Sequence, residues 1–149
     1  MHIKQKIYSH YLKLLLDKIA LLQQVLNDLK ESGSNETKST AGDKHETALA
    51  MLQIEQANKR NQMQELLLQK AALEKINPAV TAPMVVSGSL IKTNQGWLYM
   101  SVALGRAAVD DIAVIALSPQ SPLGKNLMGL KVSDTCMMNN IEYRIESLQ

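Results

Sequence analysis

Between Lys4 and Ser32 the apolar residues Tyr8, Leu12, Leu15, Ile19, Leu22, Leu26 and Leu29 recur at alternating steps of four and three. That spacing lays one stripe along a helix with the coiled-coil period. Tyr11, Leu14, Leu16, Leu21 and Val25 broaden the stripe, and no proline or glycine interrupts it before Ser32-Gly33-Ser34. Gly33 suits a C-terminal cap, so the first helix is expected to end there. A second helical run is expected from Asp43 or Lys44 to Ile76, stopped by Asn77-Pro78. Leu49, Leu52, Met63, Leu66 and Leu73 share one heptad phase, but Gln56, Lys59 and Lys70 hold places in it where apolar residues belong. The polar middle, 53–62, therefore reads either as loosely held arms with a functional face or as long polar stems that cover the seam. At 1.5 Å per residue each arm would be roughly 45 Å long.

The link between the two runs, Glu36 to Thr47, is short and polar and carries Glu36, Asp43 and Glu46. It would form the far end of a helical hairpin with an acidic tip. Residues 77–84 hold two prolines and no helical period, which reads as a linker. Beyond it the pattern turns to β. Runs at 85–93 and 97–104 flank the hairpin signal Asn94-Gln95-Gly96, and 111–117 reads as a central strand. Ser121 and Pro122 open one or two helical turns as N-cap and first helical residue. Thr135–Met138 and Ile141–Ser147, joined by Asn139-Asn140, form a closing hairpin. The expected fold is α+β: an antiparallel coiled-coil hairpin over 1–77 with its acidic tip near 34–46, a linker at 78–84, and a small antiparallel-sheet domain over 85–149.

Composition narrows the function classes. The 149 residues contain no Phe, one Trp and four Tyr, too few rings to line an aromatic pocket or stack many bases. Residues 1–77 carry 11 basic and 9 acidic side chains and the remainder 5 and 5, so neither part has a polycation's footprint for DNA. Cys136 is the single cysteine, which points to a reducing compartment. Asp17 and Lys18 break the richest aliphatic stretch, so secretion and membrane spanning are not expected and the chain reads as cytoplasmic.

Candidate chemistry is sparse. Asp43 and Glu46 stand three apart at a helix start and would face the same way. The same pair is a capping box, and acids in a first turn are favoured by the helix dipole, so capping is the plainer reading of these two residues alone. His45 has no second His or Cys nearby for a transition metal, and Cys136 and the Met128, Met137, Met138 group read as packing.

Two motifs resemble a known family. Gly42-Asp43-Lys44-His45-Glu46, with Glu55-Gln56 further along, resembles the tip pattern G-D-x-x-E and the following E-Q of the bacterial Gre transcript-cleavage factors, GreA and GreB. Ser118-Pro119-Gln120-Ser121-Pro122-Leu123-Gly124, followed by Lys131-Val132-Ser133-Asp134, resembles the S-P turn and V-G-D of their C-terminal domain. The resemblance spans the chain and implies an FKBP-like fold for that domain. It further implies a factor with no enzyme activity or cofactor of its own, which binds RNA polymerase and inserts its coiled coil in the secondary channel. There Asp43 and Glu46 would help hold a Mg²⁺ shared with the polymerase and stimulate cleavage of backtracked transcripts at the RNA 3′ end. Ser121, Pro122 and Leu123 would grip the polymerase. Lys38, Lys59 and Arg60 would lie near RNA.

The chain departs from the family where Glu46 is followed by Thr47-Ala48-Leu49-Ala50 instead of E-N-A-E-Y, and where Lys44 and Gln120 replace the usual residues. A cation beside metal ligands disfavours Mg²⁺. A second reading is thus a channel-binding regulator that modulates or inhibits transcription without cleavage. A third is a folding helper of the peptidyl-prolyl isomerase kind, for which Trp97, Tyr99 and Tyr143 would be the domain's rings. A fourth is a coiled-coil protein that dimerises through the stripe of the first helix.

Overall fold

The computed structural model describes residues 2–37 and 42–149, without the side chains of 34–37 and 42–45. Its elements are α1 (Ile3–Thr37), α2 (Gly42–Glu74), β1 (Leu90–Thr93), β2 (Gly96–Met100), β3 (Gly105–Val109), β4 (Ile112–Leu117), α3 (Pro122–Leu127), β5 (Thr135–Met138) and β6 (Ile141–Leu148). They form two compact units, Lys13–Lys70 on the one hand and Met1–Leu12 with Ala71–Gln149 on the other. The stretch 78–84 falls inside the second of these. None of the described helices is long and apolar enough to cross a membrane.

In the unit Lys13–Lys70 the seam of α2 is the heptad phase read from the sequence, polar members included. Leu49, Leu52, Gln56, Lys59, Met63, Leu66 and Lys70 are all half-buried, whereas Met51, Ile54, Leu67 and Leu68 are exposed. Long stems thus cover the seam, as amphipathic side chains do. Gln56 also bonds across it, its Nε2 donating to the Leu29 carbonyl at 3.0 Å. The expected end of the first helix at Gly33 does not hold, since α1 continues to Thr37. Glycine permits a left-handed cap but does not compel one. Here a Cβ on Gly33 would lie 3.6 Å from Gln56 Nε2, so the position faces the other arm. α2 begins at Gly42, one or two residues early, and ends at Glu74, two residues short of expectation.

The other unit is built on a six-stranded sheet of order β3-β4-β2-β1-β6-β5. Four pairings are antiparallel, but β2 and β4 run parallel, Trp97 opposite Val114 through Met100 opposite Leu117. The expected purely antiparallel sheet is therefore mixed. The cause is β3, which was not anticipated as a strand: the chain leaves β2, passes to the sheet edge as β3 and returns as β4 beside β2. Its two-residue turn, Asp110-Asp111, has φ of 49° and 66°, the left-handed pair of a type I′ hairpin. Asn139-Asn140 makes the same turn between β5 and β6 with φ of 52° and 65°.

β1 is shorter than the 85–93 run suggested. The Val86 N–H bonds Ser89 Oγ at 2.9 Å, and Gly88 has φ of 96°, so 86–89 is a turn. Val85 nevertheless joins the core, exchanging backbone bonds with Gly129 and Leu130. That core comprises Val85, Ile91, Leu98, Met100, Leu117, Leu127 and Ile145, with Leu123, Cys136 and Tyr143 packed against it. Cys136 is accordingly a packing residue, half-buried, with burial pushing its thiol pKa up.

Candidate functional site

The residues that the sequence singles out fall into two groups, one in each compact unit. The first is the turn that leads into α3. Ser121, with φ −66° and ψ 157°, caps the helix: its Oγ accepts from the Gly124 N–H at 3.0 Å and donates to the Ser118 carbonyl at 2.6 Å. Ser118 Oγ in turn accepts from the Gln120 N–H at 3.1 Å and donates to Gln120 Oε1 at 2.6 Å. Each bond satisfies a backbone or side-chain group that a six-residue helix would otherwise leave open. The close packing needs Gly124, where a Cβ would sit 2.0 Å from the Ser118 carbonyl oxygen. The outcome is a rigid corner with Pro122 exposed at its apex and Leu123 half-buried against the core.

A cavity of about 470 Å³ lies beside this corner. Its wall brings Arg106 of β3 and Tyr143 of β6 to Ser121, Pro122 and Leu123. Nothing in the sequence signalled that Arg106 and Tyr143 would approach the corner, because that depends on sheet order. Among the described residues on that wall Tyr143 is the one aromatic ring.

The second group stands on α2. Asp43 and Glu46 lie within its first five residues, and the Glu46 side chain is exposed. The Glu36 and Asp43 side chains and all of Lys38 lie outside the described residues. Lys59 and Arg60 are adjacent but differ: Lys59 is half-buried with Nζ 3.6 Å from Glu55 Oε1, whereas Arg60 is exposed. Lys59 also lines a groove of about 430 Å³ with Lys18, Leu22, Val25 and Leu66. Among the described residues no three of His, Cys, Asp and Glu gather closely enough to hold a metal ion. Two carboxylates one turn apart could only supplement an ion whose remaining oxygen ligands come from elsewhere.

Neither a family model nor a curated protein matches the chain. A solved structure of the transcription factor Gfh1 is similar over 92% of this chain and 92% of its own, at 14% identity and a TM-score of 0.37. A likeness of that size carries no functional inference.

Proposed function

We propose that the chain is a Gre-like transcription factor that binds RNA polymerase and, without being a nuclease itself, stimulates cleavage of backtracked transcripts. The observation that carries this reading is the capped Ser118–Gly124 corner. It folds the most specific of the sequence motifs into a rigid apex, with Pro122 open to a partner and Leu123 tied to the core. Ser121, Pro122 and Leu123 would make the polymerase contact. Asp43 and Glu46 would enter the secondary channel, and a Mg²⁺ held mainly by the polymerase would supply the activation of water for phosphodiester hydrolysis. The two acids would contribute oxygen ligands, and their place at a helix start would orient them. Lys38, Lys59 and Arg60 would lie along the RNA, with the exposed Arg60 the freest of the described pair.

A second reading rests on Lys44, which stands between the two acids, and on Thr47-Ala48-Leu49-Ala50 after them. A factor of this kind would occupy the channel and slow or modulate synthesis without donating metal ligands.

Transcript cleavage on stalled, backtracked complexes of the cognate polymerase in Mg²⁺ separates the two. Under the first reading the wild-type chain accelerates release of short 3′ fragments, and Asp43→Asn/Glu46→Gln binds without accelerating. Binding with no acceleration by wild type selects the second reading, and absence of binding removes both.

A further inference from the structure

Lys4, on the first turn of α1, is the one charged side chain that is buried among the described residues, at 3% exposure. An ammonium out of water is costly unless a carboxylate or a full set of acceptors faces it. Lys4 Nζ has three donors and, among the described residues, gives one, to the Val80 carbonyl at 2.6 Å. No described carboxylate stands within ion-pair distance of it. Burial lowers its pKa accordingly.

Lys4 is one of the residues that line a cavity of about 830 Å³, a volume within the range of small-molecule sites. The other polar side chains on its wall, His2, Gln5, Thr81 and Gln149, are all capable donors, and no aspartate or glutamate side chain is among the described residues that line it. Pro78, Pro83 and Leu148 supply an aliphatic side. The first turn of α1 carries no acidic residue, so the positive end of the helix dipole adds to the same field.

We propose that this cavity binds a small organic oxyanion, a carboxylate or phosphoryl group on a short aliphatic body, with the Lys4 ammonium as its counter-ion. The anion takes up donors that Val80 leaves unused, and the aliphatic wall receives the rest of the ligand. The site involves none of the residues assigned to polymerase or RNA and stands or falls apart from that reading.

The test is an NMR titration of the full chain with inorganic phosphate and, separately, isobutyrate, each against chloride at equal ionic strength. Binding gives saturable shifts at the Lys4 ε-methylene and the Gln5 and Thr81 amides, and it raises the Lys4 pKa measured at saturation. Lys4→Met keeps the stem and weakens binding at least about tenfold, the loss of one charge-assisted bond. Lys6→Met, which removes the partner of Asp110, leaves the affinity unchanged. Saturation by one probe alone identifies the oxyanion. Linear shifts equal to those with chloride, a Lys4 titration unmoved by either probe, or undiminished binding by a folded Lys4→Met variant overturns the proposal and leaves Lys4 as a latch on Val80. Should the variant not fold, the wild-type Lys4 titration decides by itself.

Discussion

Tyr11 of α1 and Tyr99 of β2 stack with ring centroids 6.4 Å apart and planes 17° apart, yet only Tyr11 satisfies its hydroxyl. Both rings are fully buried. Tyr11 donates to the Gly105 carbonyl at 2.7 Å and lies 3.3 Å from the Val114 carbonyl, while the Tyr99 hydroxyl has no partner among the described residues. An unmet buried hydroxyl is a penalty, and a met one a modest gain. Tyr99→Phe is therefore expected to leave stability unchanged or raise it by about 1 kcal/mol, and Tyr11→Phe to lower it by about 1–2 kcal/mol. Urea midpoints at constant m-value measure both.

The same pair sets an alkaline limit. Burial raises both phenol pKa values above the ordinary 10.0, and the nearby Tyr8 adds to the shift of Tyr99. A phenol whose folded pKa is raised favours the fold while neutral. That contribution is complete below pH 10.0 and is lost as the pH climbs towards the folded value. Unfolding free energy measured from pH 8 to 11.5 should fall above about pH 10, less steeply in Tyr99→Phe. An equal slope in both proteins would contradict the assignment.

Gly124 holds the corner before α3 closed. Its replacement by alanine must displace the Ser118 carbonyl, since the added Cβ would lie 2.0 Å from that oxygen. The expected cost is about 2–4 kcal/mol, in the range of forced overpacking with a broken cap. If the proposed function holds, binding to polymerase should weaken with it, whereas Lys125→Ala on the exposed side of α3 should leave both quantities alone. Calorimetry and a polymerase pull-down at one salt concentration report the two effects.

Gly33 lies inside α1, not at its end. A methyl there meets Gln56 Nε2 at an ordinary 3.6 Å. Gly33→Ala should stabilise the helix by about 0.5–1 kcal/mol through the unfolded chain's lost freedom. Helicity by circular dichroism and the thermal midpoint should both rise. A fall would mean that the helix needs glycine at this point.

At the Asp110-Asp111 turn both residues pay for left-handed backbone, while Asp110 also pairs with Lys6 at 2.5 Å. Asp111→Gly keeps the pair and relieves the strain, so a gain of about 0.5–1 kcal/mol is expected. Asp110→Gly relieves strain but loses the ion pair, and the difference between the two variants measures that pair.

Local chemistry made much of this fold legible. The seven-residue repeat marked both long helices, and the Ser121-Pro122 dipeptide marked the capped start of α3. Even Gln56, Lys59 and Lys70 were readable as seam positions, because phase survives a change of side-chain polarity. Asp43 and Glu46 were legible only as residue types, since Asp43-x-x-Glu46 serves a capping box as readily as a metal. Gly33 misled for a related reason: it allows a helix end without requiring one.

What the sequence by itself determined, then, is what depends on neighbours a few residues away: helix period, the Ser121 cap, the hairpin turns after Thr93 and at Asn139-Asn140, and the change from α to β beyond the prolines of 77–84. Only the tertiary structure decided the parallel pairing of β2 with β4, the approach of Arg106 and Tyr143 to the Ser121 corner, and the burial of Lys4 beneath Val80. Each of these joins residues distant in the chain. Their free energy comes from surfaces that exist only once the sheet has formed, and no periodicity in the chain encodes which strand will lie beside which.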